Sequence, residues 1–452
     1  MTLNSSGPIS LGGSTAGQSI ALELGLPSTS TITLNDTAVR SLAGVPSGAI
    51  VMPNDFWGKS SATYYFTVIY ATSSGSVSTG AFSVNPDKSV NVYGRSSVSN
   101  SLLQIKLNSS GTATAYNEGV LTGGATKTFP GAQDSSNNIY FSKIPYIYKF
   151  DSTGSAQYAY STIINHYSFT IDNSGYIWAS GYTTSNTPAL VKYNSSYAIQ
   201  AVYAASSGLY TYTAPPRLAR NYNSASGIVY AANGYGPCCC YWAPFVYNYS
   251  NSWIYQASNG GEIPAVNTDS SGNVYFYDGV ALTKHNSSGV AQWRLAVSLA
   301  SSYAIGYFIE VDSSNNIYLV DEYCSILKVN SSGVIQWSRQ LVNNSTGGNV
   351  FPYDVQINAN DSSSIYISGF DDNTAAISQG FIFKIPITGG LTQSFTLRGI
   401  SYTYAVRSIG GTLGSGTNAG SSGTLPSAST LNNVQSTFMS SSTAYSNAVK
   451  VL

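Results

Sequence analysis

Asp312-Ser-Ser-Asn-Asn-Ile-Tyr318 stands between two short apolar runs, and close copies of it recur as Asp134-Ser-Ser-Asn-Asn-Ile-Tyr140 and Asp269-Ser-Ser-Gly-Asn-Val-Tyr275. Looser copies are Asp87-Lys-Ser-Val-Asn-Val-Tyr93, Asp172-Asn-Ser-Gly-Tyr-Ile-Trp178, Ser224-Ala-Ser-Gly-Ile-Val-Tyr230 and Asn360-Asp-Ser-Ser-Ser-Ile-Tyr366. The aromatic residues that close these phrases are spaced 47, 38, 52, 45, 43 and 48 residues apart. A period of about 40 to 50 residues is that of a propeller blade. Working outward, each copy leads to a second phrase, an apolar strand carrying Lys and ending in a turn: Tyr148-Lys149-Phe150-Asp151-Ser-Thr-Gly154, Thr283-Lys284-His285-Asn286-Ser-Ser-Gly289, Leu327-Lys328-Val329-Asn330-Ser-Ser-Gly333. A further strand follows, as in Val290-Ala-Gln-Trp293 and Val334-Ile-Gln-Trp337. Gly and Asn in these turns tolerate the positive φ that tight hairpins demand. One period therefore supplies four short strands, the content of one blade.

The recurring polar residues are read as scaffold. Each copy offers one Asp, whereas a calcium loop needs several carboxylates within a few residues, so the Asp side chain is expected to bond its own turn. Lys106, Lys149, Lys192, Lys284, Lys328 and Lys384 are expected on an exposed strand face or edge. The Asp-x-x-Gly-Asn-x-Tyr phrase is followed by Gly181-Tyr-Thr-Thr in the third copy and Gly369-Phe-Asp-Asp in the seventh. Over about residues 75 to 400 it resembles the bacterial seven-bladed β-propeller repeats of NHL-like type. That resemblance implies an all-β fold, a seven-bladed β-propeller with eight blades as the alternative count, and no particular activity. The fourth copy departs most: its turn lacks Asp, Asn248 replaces Lys, and insertions flank its anchor strand. Segments at Tyr64-Ala71 and Tyr402-Ile409 are expected to pair and close the ring, or to begin an eighth blade.

Residues 1–60 follow no blade period. Gln18-Ser-Ile-Ala-Leu-Glu-Leu-Gly25 and Asn35-Asp-Thr-Ala-Val-Arg-Ser-Leu-Ala-Gly44 read as short helices, the second with Asn35 as N-cap, and Gly48-Ala-Ile-Val-Met52 reads as an apolar strand ahead of Phe56-Trp57. The order of Gly-Pro-Ile-Ser-Leu-Gly-Gly-Ser, Asp-Thr-Ala-Val-Arg-Ser-Leu-Ala-Gly and Asp-Phe-Trp-Gly-Lys-Ser resembles an N-terminal module of tailed-bacteriophage virion proteins, fibre-like and tail-associated ones in particular. The resemblance implies a small mixed docking module ahead of an exchangeable display domain. Leu22, Leu24, Leu42, Phe56 and Trp57 look too few for an independent core, so they are expected to dock against another virion protein or a second copy. Three domains are thus expected: 1–60 docking module, 61–409 propeller, and 410–452 a Gly/Ser-rich linker with a short C-terminal extension, including a small helix around Leu431, Val434 and Phe438.

Composition narrows the function. Charged residues make up 8% of the 452, with net charge zero, against about 25% in ordinary domains. A nucleic-acid binder needs a clustered basic excess, which is absent. His166 and His285 are the only histidines, and the cysteines are Cys324 and the adjacent Cys238, Cys239 and Cys240, so neither a metal site nor a disulfide framework is expected. No cofactor is expected. Met1-Thr-Leu-Asn-Ser-Ser-Gly-Pro has neither the basic nor the apolar region of a secretory signal, and no run is long enough to insert in a membrane.

Without a nucleophile elbow or a His-rich cluster, and with its acids committed to turns, the chain is read as a non-enzymatic virion protein. The reading is a fibre or tail-associated adhesin, assembled in the host cytoplasm, homo-oligomeric, and recognising host-surface glycan or protein. The candidate contacts are Tyr210, Tyr212, Tyr235, Tyr241 and Trp242 in the fourth-copy insertions, because a rigid amphipathic ring offers contact area at low entropy cost. A capsid-attached fibre or decoration protein, a purely structural baseplate protein and a glycan-degrading propeller are the alternatives. Two carboxylates facing each other near the propeller axis would favour the last.

Overall fold

The computed structural model describes, with short intervals left out, residues 3–57, 65–120, 131–204, 265–421 and 449–451, and between 205 and 264 the strands 217–221, 227–235, 242–248 and 253–256. These form seven separate antiparallel sheets, each built on four strands. The first strands of the sheets are Val77–Val84, Ala132–Gln133, Ile164–Ile171, Arg217–Asn221, Ala265–Thr268, Phe308–Val311 and Asn349–Gln356. Each neighbours the first strand of the next sheet, and the last neighbours the first. The protein is therefore an all-β, seven-bladed β-propeller whose blades are numbered here in that order.

Ring closure follows half of the sequence expectation. Tyr65–Ala71 supplies the fourth strand of blade seven, beside Asn349–Gln356, Ser364–Asp372 and Gln379–Pro386, so the two ends of the repeat array share one sheet. The second flanking segment does not join it. Ile400–Val406 instead pairs with the outer strand of blade six, Tyr404 opposite Leu341, and forms a hairpin with Gln393–Leu397. No eighth blade exists among the described residues. The hairpin locks the closure through Phe66, whose ring centroid lies 5.4 Å from Phe381, 5.2 Å from Phe395 and 4.9 Å from Tyr402.

The repeat works through a local carboxylate network. Asp312 accepts from the Ser314 and Asn316 backbone amides at 2.9 Å and from the Tyr318 hydroxyl at 2.8 Å. Asp134 and Asp269 repeat this with Tyr140 and Tyr275, and Asp172 with the Trp178 indole N–H. The expectation for Asp holds, but that for Lys needs correction. Lys149, Lys192, Lys284 and Lys328 lie opposite the anchor aromatics and over their rings, at 5.2, 5.0, 5.4 and 5.1 Å, and Lys384 is buried. The ring face attracts the ammonium and the stem packs on the sheet. Burial lowers the pKa of Lys284 and Lys328.

Register also corrects two assignments. In blade one, Asn91 rather than Tyr93 stands opposite Lys106, with Tyr93 two residues further along and opposite Gln104. In blade four, Tyr247 rather than Asn248 takes the Lys place opposite Tyr230. Gly94 and Gly369 sit opposite the place where the inner strand bulges: a Cβ on Gly369 would collide with the Phe351 carbonyl oxygen, so only glycine fits.

The chain divides into two compact units, one of Met1–Tyr65 with Ser363–Ile365 and Lys384–Gly390, the other of the remainder. In the first, Ser19 caps the helix Ile20–Glu23, and the second helix starts at Thr37, so Asp36 rather than Asn35 precedes it. Residues 48–52 form no strand; Asp55 accepts from the Val51 amide at 2.7 Å and a single 3-10 turn spans Asn54–Phe56. Leu3, Ile20, Val39, Leu42, Ala43 and Phe56 make a core of their own, with Leu24 packed against it.

At the other end, the expected linker is in part strand. Gly411–Gly414 pairs with Arg294–Val297 on blade five, and Gly420–Ser421 with Trp253–Ile254 on blade four. Val449–Val451 pairs with Ile69–Ala71 on blade seven. Leu431, Val434 and Phe438 lie outside the described residues.

Candidate functional site

On each inner strand, one register position stands opposite the anchor aromatic: Ala132, Thr170, Leu218, Asn267, Glu310 and Gln356 in blades two to seven. Ala132, Thr170, Asn267, Glu310 and Gln356 are half-buried. Three of them reach the next blade. Asn267 donates to the Ile309 carbonyl at 2.7 Å, Glu310 accepts from the Ile357 amide at 3.3 Å, and Gln356 donates to the Phe82 carbonyl at 3.2 Å. A polar side chain here pairs an inner-edge backbone group that no intra-blade strand can reach. Nearby, Gln133 exchanges bonds with Val84, Asn358 donates to Gln133, and Asn360 donates to both Val84 and Asn137, tying blades seven, one and two together.

Glu310 is the distinctive member. Water still touches it, yet it lies deep, and burial pushes its carboxyl up to about 8; the Ile357 amide opposes that shift and the negative charge of Asp354 adds to it. Asp354, on the inner strand of blade seven, is buried and accepts from Gln356 at 2.8 Å and from the Gly131 amide at 3.5 Å. A carboxyl kept neutral near pH 7 beside a second acid is an arrangement able to donate and accept a proton. No group of three His, Cys, Asp or Glu side chains suited to a metal ion occurs among the described residues.

The residues singled out from sequence fare unevenly. Tyr210, Tyr212, Tyr241 and Cys238 to Cys240 lie outside the described residues. Tyr235 and Trp242 are brought together as backbone partners at the end of a blade-four hairpin. In the N-terminal unit, Phe56 and Leu42 are buried in its own core and so offer no docking surface; Leu22 and Leu24 are half-buried. The count of five apolar residues overlooked Leu3, Ile20 and Val39. Trp57 remains 37% exposed, its indole N–H donating to the Gly7 carbonyl at 2.9 Å, and Val51 is 53% exposed. Glu310 and Asp354 went unnoticed in the sequence reading. The signal for Glu310 was an acid inside the apolar run Tyr307-Phe-Ile-Glu-Val311; nothing local connects it to Asp354.

No protein-family model and no curated protein matches the chain. Among solved structures it is similar to a protein of unknown function from Bacteroides caccae, at 9% identity, covering 68% of this chain and 84% of that one with a TM-score of 0.34. It is also similar to a gluconolactonase of Xanthomonas campestris, at 9% identity, covering 64% of this chain and 90% of that one with a TM-score of 0.40. Likenesses at that level carry no argument about activity. What the repeats and the sheet topology establish is the architecture, a β-propeller.

Proposed function

We propose that this protein is a non-enzymatic virion structural protein of a tailed bacteriophage, attached through its N-terminal unit and displaying the propeller toward the host surface. The observation that carries the reading is the division of labour along the chain: residues 3–56 close a core of their own, outside the blade period, while the repeats close on themselves as a ring. A unit so independent is best explained by a task separate from the propeller's, and the order of its motifs resembles virion docking modules. The repeat carboxylates support a binding rather than catalytic role, since Asp134, Asp172, Asp269 and Asp312 are occupied by their own turns. Exposed Trp57 and Val51, in place of the buried Phe56 and Leu42, are the apolar contacts that unit offers a partner. Tyr235 and Trp242 head the candidate recognition loops. Mass spectrometry of purified particles is expected to find the full chain and to miss a version lacking residues 1–60 supplied during assembly. Incorporation of the shortened chain at normal copy number would overturn the docking role.

A second reading, a propeller enzyme acting on glycans, is favoured by the Glu310 and Asp354 pair. If it holds, Glu310→Gln and Asp354→Asn abolish turnover of surface polysaccharide while leaving binding intact. On the display reading neither variant changes adsorption, and no turnover is seen with the wild type.

A further inference from the structure

In blades two, three, five, six and seven the turn carboxylate bonds the anchor aromatic directly: Asp134 with Tyr140, Asp172 with Trp178, Asp269 with Tyr275, Asp312 with Tyr318 and Asp361 with Tyr366. Blade one changes both ends of that link. Its turn opens at Asn85, whose amide donates to the Ser89 carbonyl, and Asn91 takes the anchor place opposite Lys106. Asn91 is shorter than the tyrosine it replaces by a ring and a hydroxyl.

Polar atoms gather where the link is broken. Ser83 Oγ, Asn91 Oδ1, Tyr93 Oη and Asn85 Oδ1 are buried and have no hydrogen-bond partner among the described residues. Ser83, Asn91 and Tyr93 are 0% exposed and Asn85 is 6% exposed. Ser83 stands directly opposite Asn91, and Tyr93 lies two residues on from Asn91, so the three side chains share one face of the sheet. That face looks toward blade two: Asn91 Nδ2 donates to the Ser152 carbonyl at 3.3 Å, and the Tyr93 ring lies 4.9 Å from Phe141 and 4.8 Å from Phe150. Burial raises the pKa of Tyr93; Gln104 and Ser83 come near enough to oppose that rise, yet neither completes a hydrogen bond to the hydroxyl. Gln104 has both ends of its amide committed elsewhere, Nε2 donating to the Gly154 carbonyl at 2.7 Å and Oε1 accepting from Asn117 at 3.1 Å. Several unmet buried donors and acceptors in one place are costly, and native interiors satisfy them.

We propose that an ordered water molecule is buried between blades one and two, held by Ser83, Asn91 and Tyr93 in the place that the anchor ring takes in those five blades. A buried water makes about three hydrogen bonds, and these side chains supply them with the right polarity. The Ser83 and Tyr93 hydroxyls donate to it, and it donates to Asn91 Oδ1. Its second hydrogen is available to Asn85 Oδ1, so turn and anchor are rejoined through solvent. A cation fits this site poorly. It gives the two hydroxyl hydrogens no acceptor, finds no carboxylate among the four groups, and meets the Lys106 side chain on the face that carries Asn91. The two amide oxygens likewise disfavour an anion. The site rests on neither reading of the protein's function.

The test is a crystal structure of the full chain at a resolution that shows ordered solvent, with magnetic relaxation dispersion of solvent water to count long-lived buried molecules in solution. The expected result is a water at about 2.7 to 3.2 Å from both Ser83 Oγ and Asn91 Oδ1. Asn91→Leu keeps the size of the side chain and removes the acceptor, and is expected to lose one long-lived water from the dispersion. Asn85→Asp combined with Asn91→Tyr rebuilds the link of the other blades, and is expected to lose the same water and to melt several degrees above the wild type. Circular dichroism checks the fold of both; where the double variant does not fold, Asn91→Leu and the wild-type crystal decide. A wild-type structure in which Ser83, Asn91 and Tyr93 bond one another directly, a metal ion at the site, or an undiminished dispersion in either folded variant would each overturn the proposal.

Discussion

Asp312→Ala is expected to lower the unfolding free energy by about 3 to 5 kcal/mol, read as a shifted midpoint in chemical denaturation. The carboxylate holds the Ser314 and Asn316 amides, the Asn316 side chain and the Tyr318 hydroxyl at once. Tyr318 is fully buried, so its hydroxyl loses its carboxylate acceptor where water cannot replace it. An unmet buried donor costs about 1 to 3 kcal/mol by itself. Tyr318→Phe removes the donor with the need for it and is expected to cost only about 1 kcal/mol. Asp87→Ala in blade one is the control, since Asp87 is exposed and, among the described residues, its carboxylate accepts from Ser89 alone. Its loss should stay below about 1 kcal/mol. Equal losses at Asp87 and Asp312 would show that the turn alone, and not the link to the anchor aromatic, carries the stability.

The second large effect is a pH dependence centred on Glu310. Its carboxyl is raised from an ordinary 4.5 to about 8 in the folded protein, chiefly by burial. The folded state therefore holds a proton that the unfolded chain releases, and stability from this group is fully present below about pH 4.5 and lost as pH rises through about 8. The decline has an upper limit of about 1.4 kcal/mol per pH unit, reduced because water reaches the side chain. Glu310→Gln keeps an acceptor for the Ile357 amide and removes the titration. It is expected to match the wild type near pH 4.5 and to melt several degrees higher at pH 8 to 9. Parallel curves for the two proteins across that range would remove the assignment of the raised carboxyl to Glu310.

How far the sequence could be read depended on the range of the interaction involved. The Asp134, Asp269 and Asp312 networks span six residues, and the residue types alone announce them, because a turn carboxylate finds its donors two, four and six positions on. Blade one shows where the pattern misleads. Asp87 lies six residues before Tyr93 and mimics the phrase, but the turn there begins at Asn85, whose amide donates to the Ser89 carbonyl. That sets Asn91 in the anchor place, a choice made by pairing with the strand Ser101–Leu107. The N-terminal core was undercounted for a similar reason: Leu3 and Phe56 belong to no periodic run, and only the folding of loops around two short helices gathers them with Val39, Leu42 and Ala43 of the second helix.

By itself the sequence determined the repeat, its period, the turn that punctuates it and the alternation that makes each segment a strand, since these are set by φ/ψ preference and hydrogen bonds within a few residues. The tertiary structure alone decided which residues meet across the ring. Glu310 and Asp354 come from different blades, Tyr402 reaches Asp371 at 2.6 Å from a hairpin outside blade six, and the Gly-rich stretch 411–414 becomes a strand only because the edge of blade five offers it partners. Such contacts are fixed by the register of strands far apart in the chain, and a backbone amide or carbonyl carries no side-chain signature of the partner it will find.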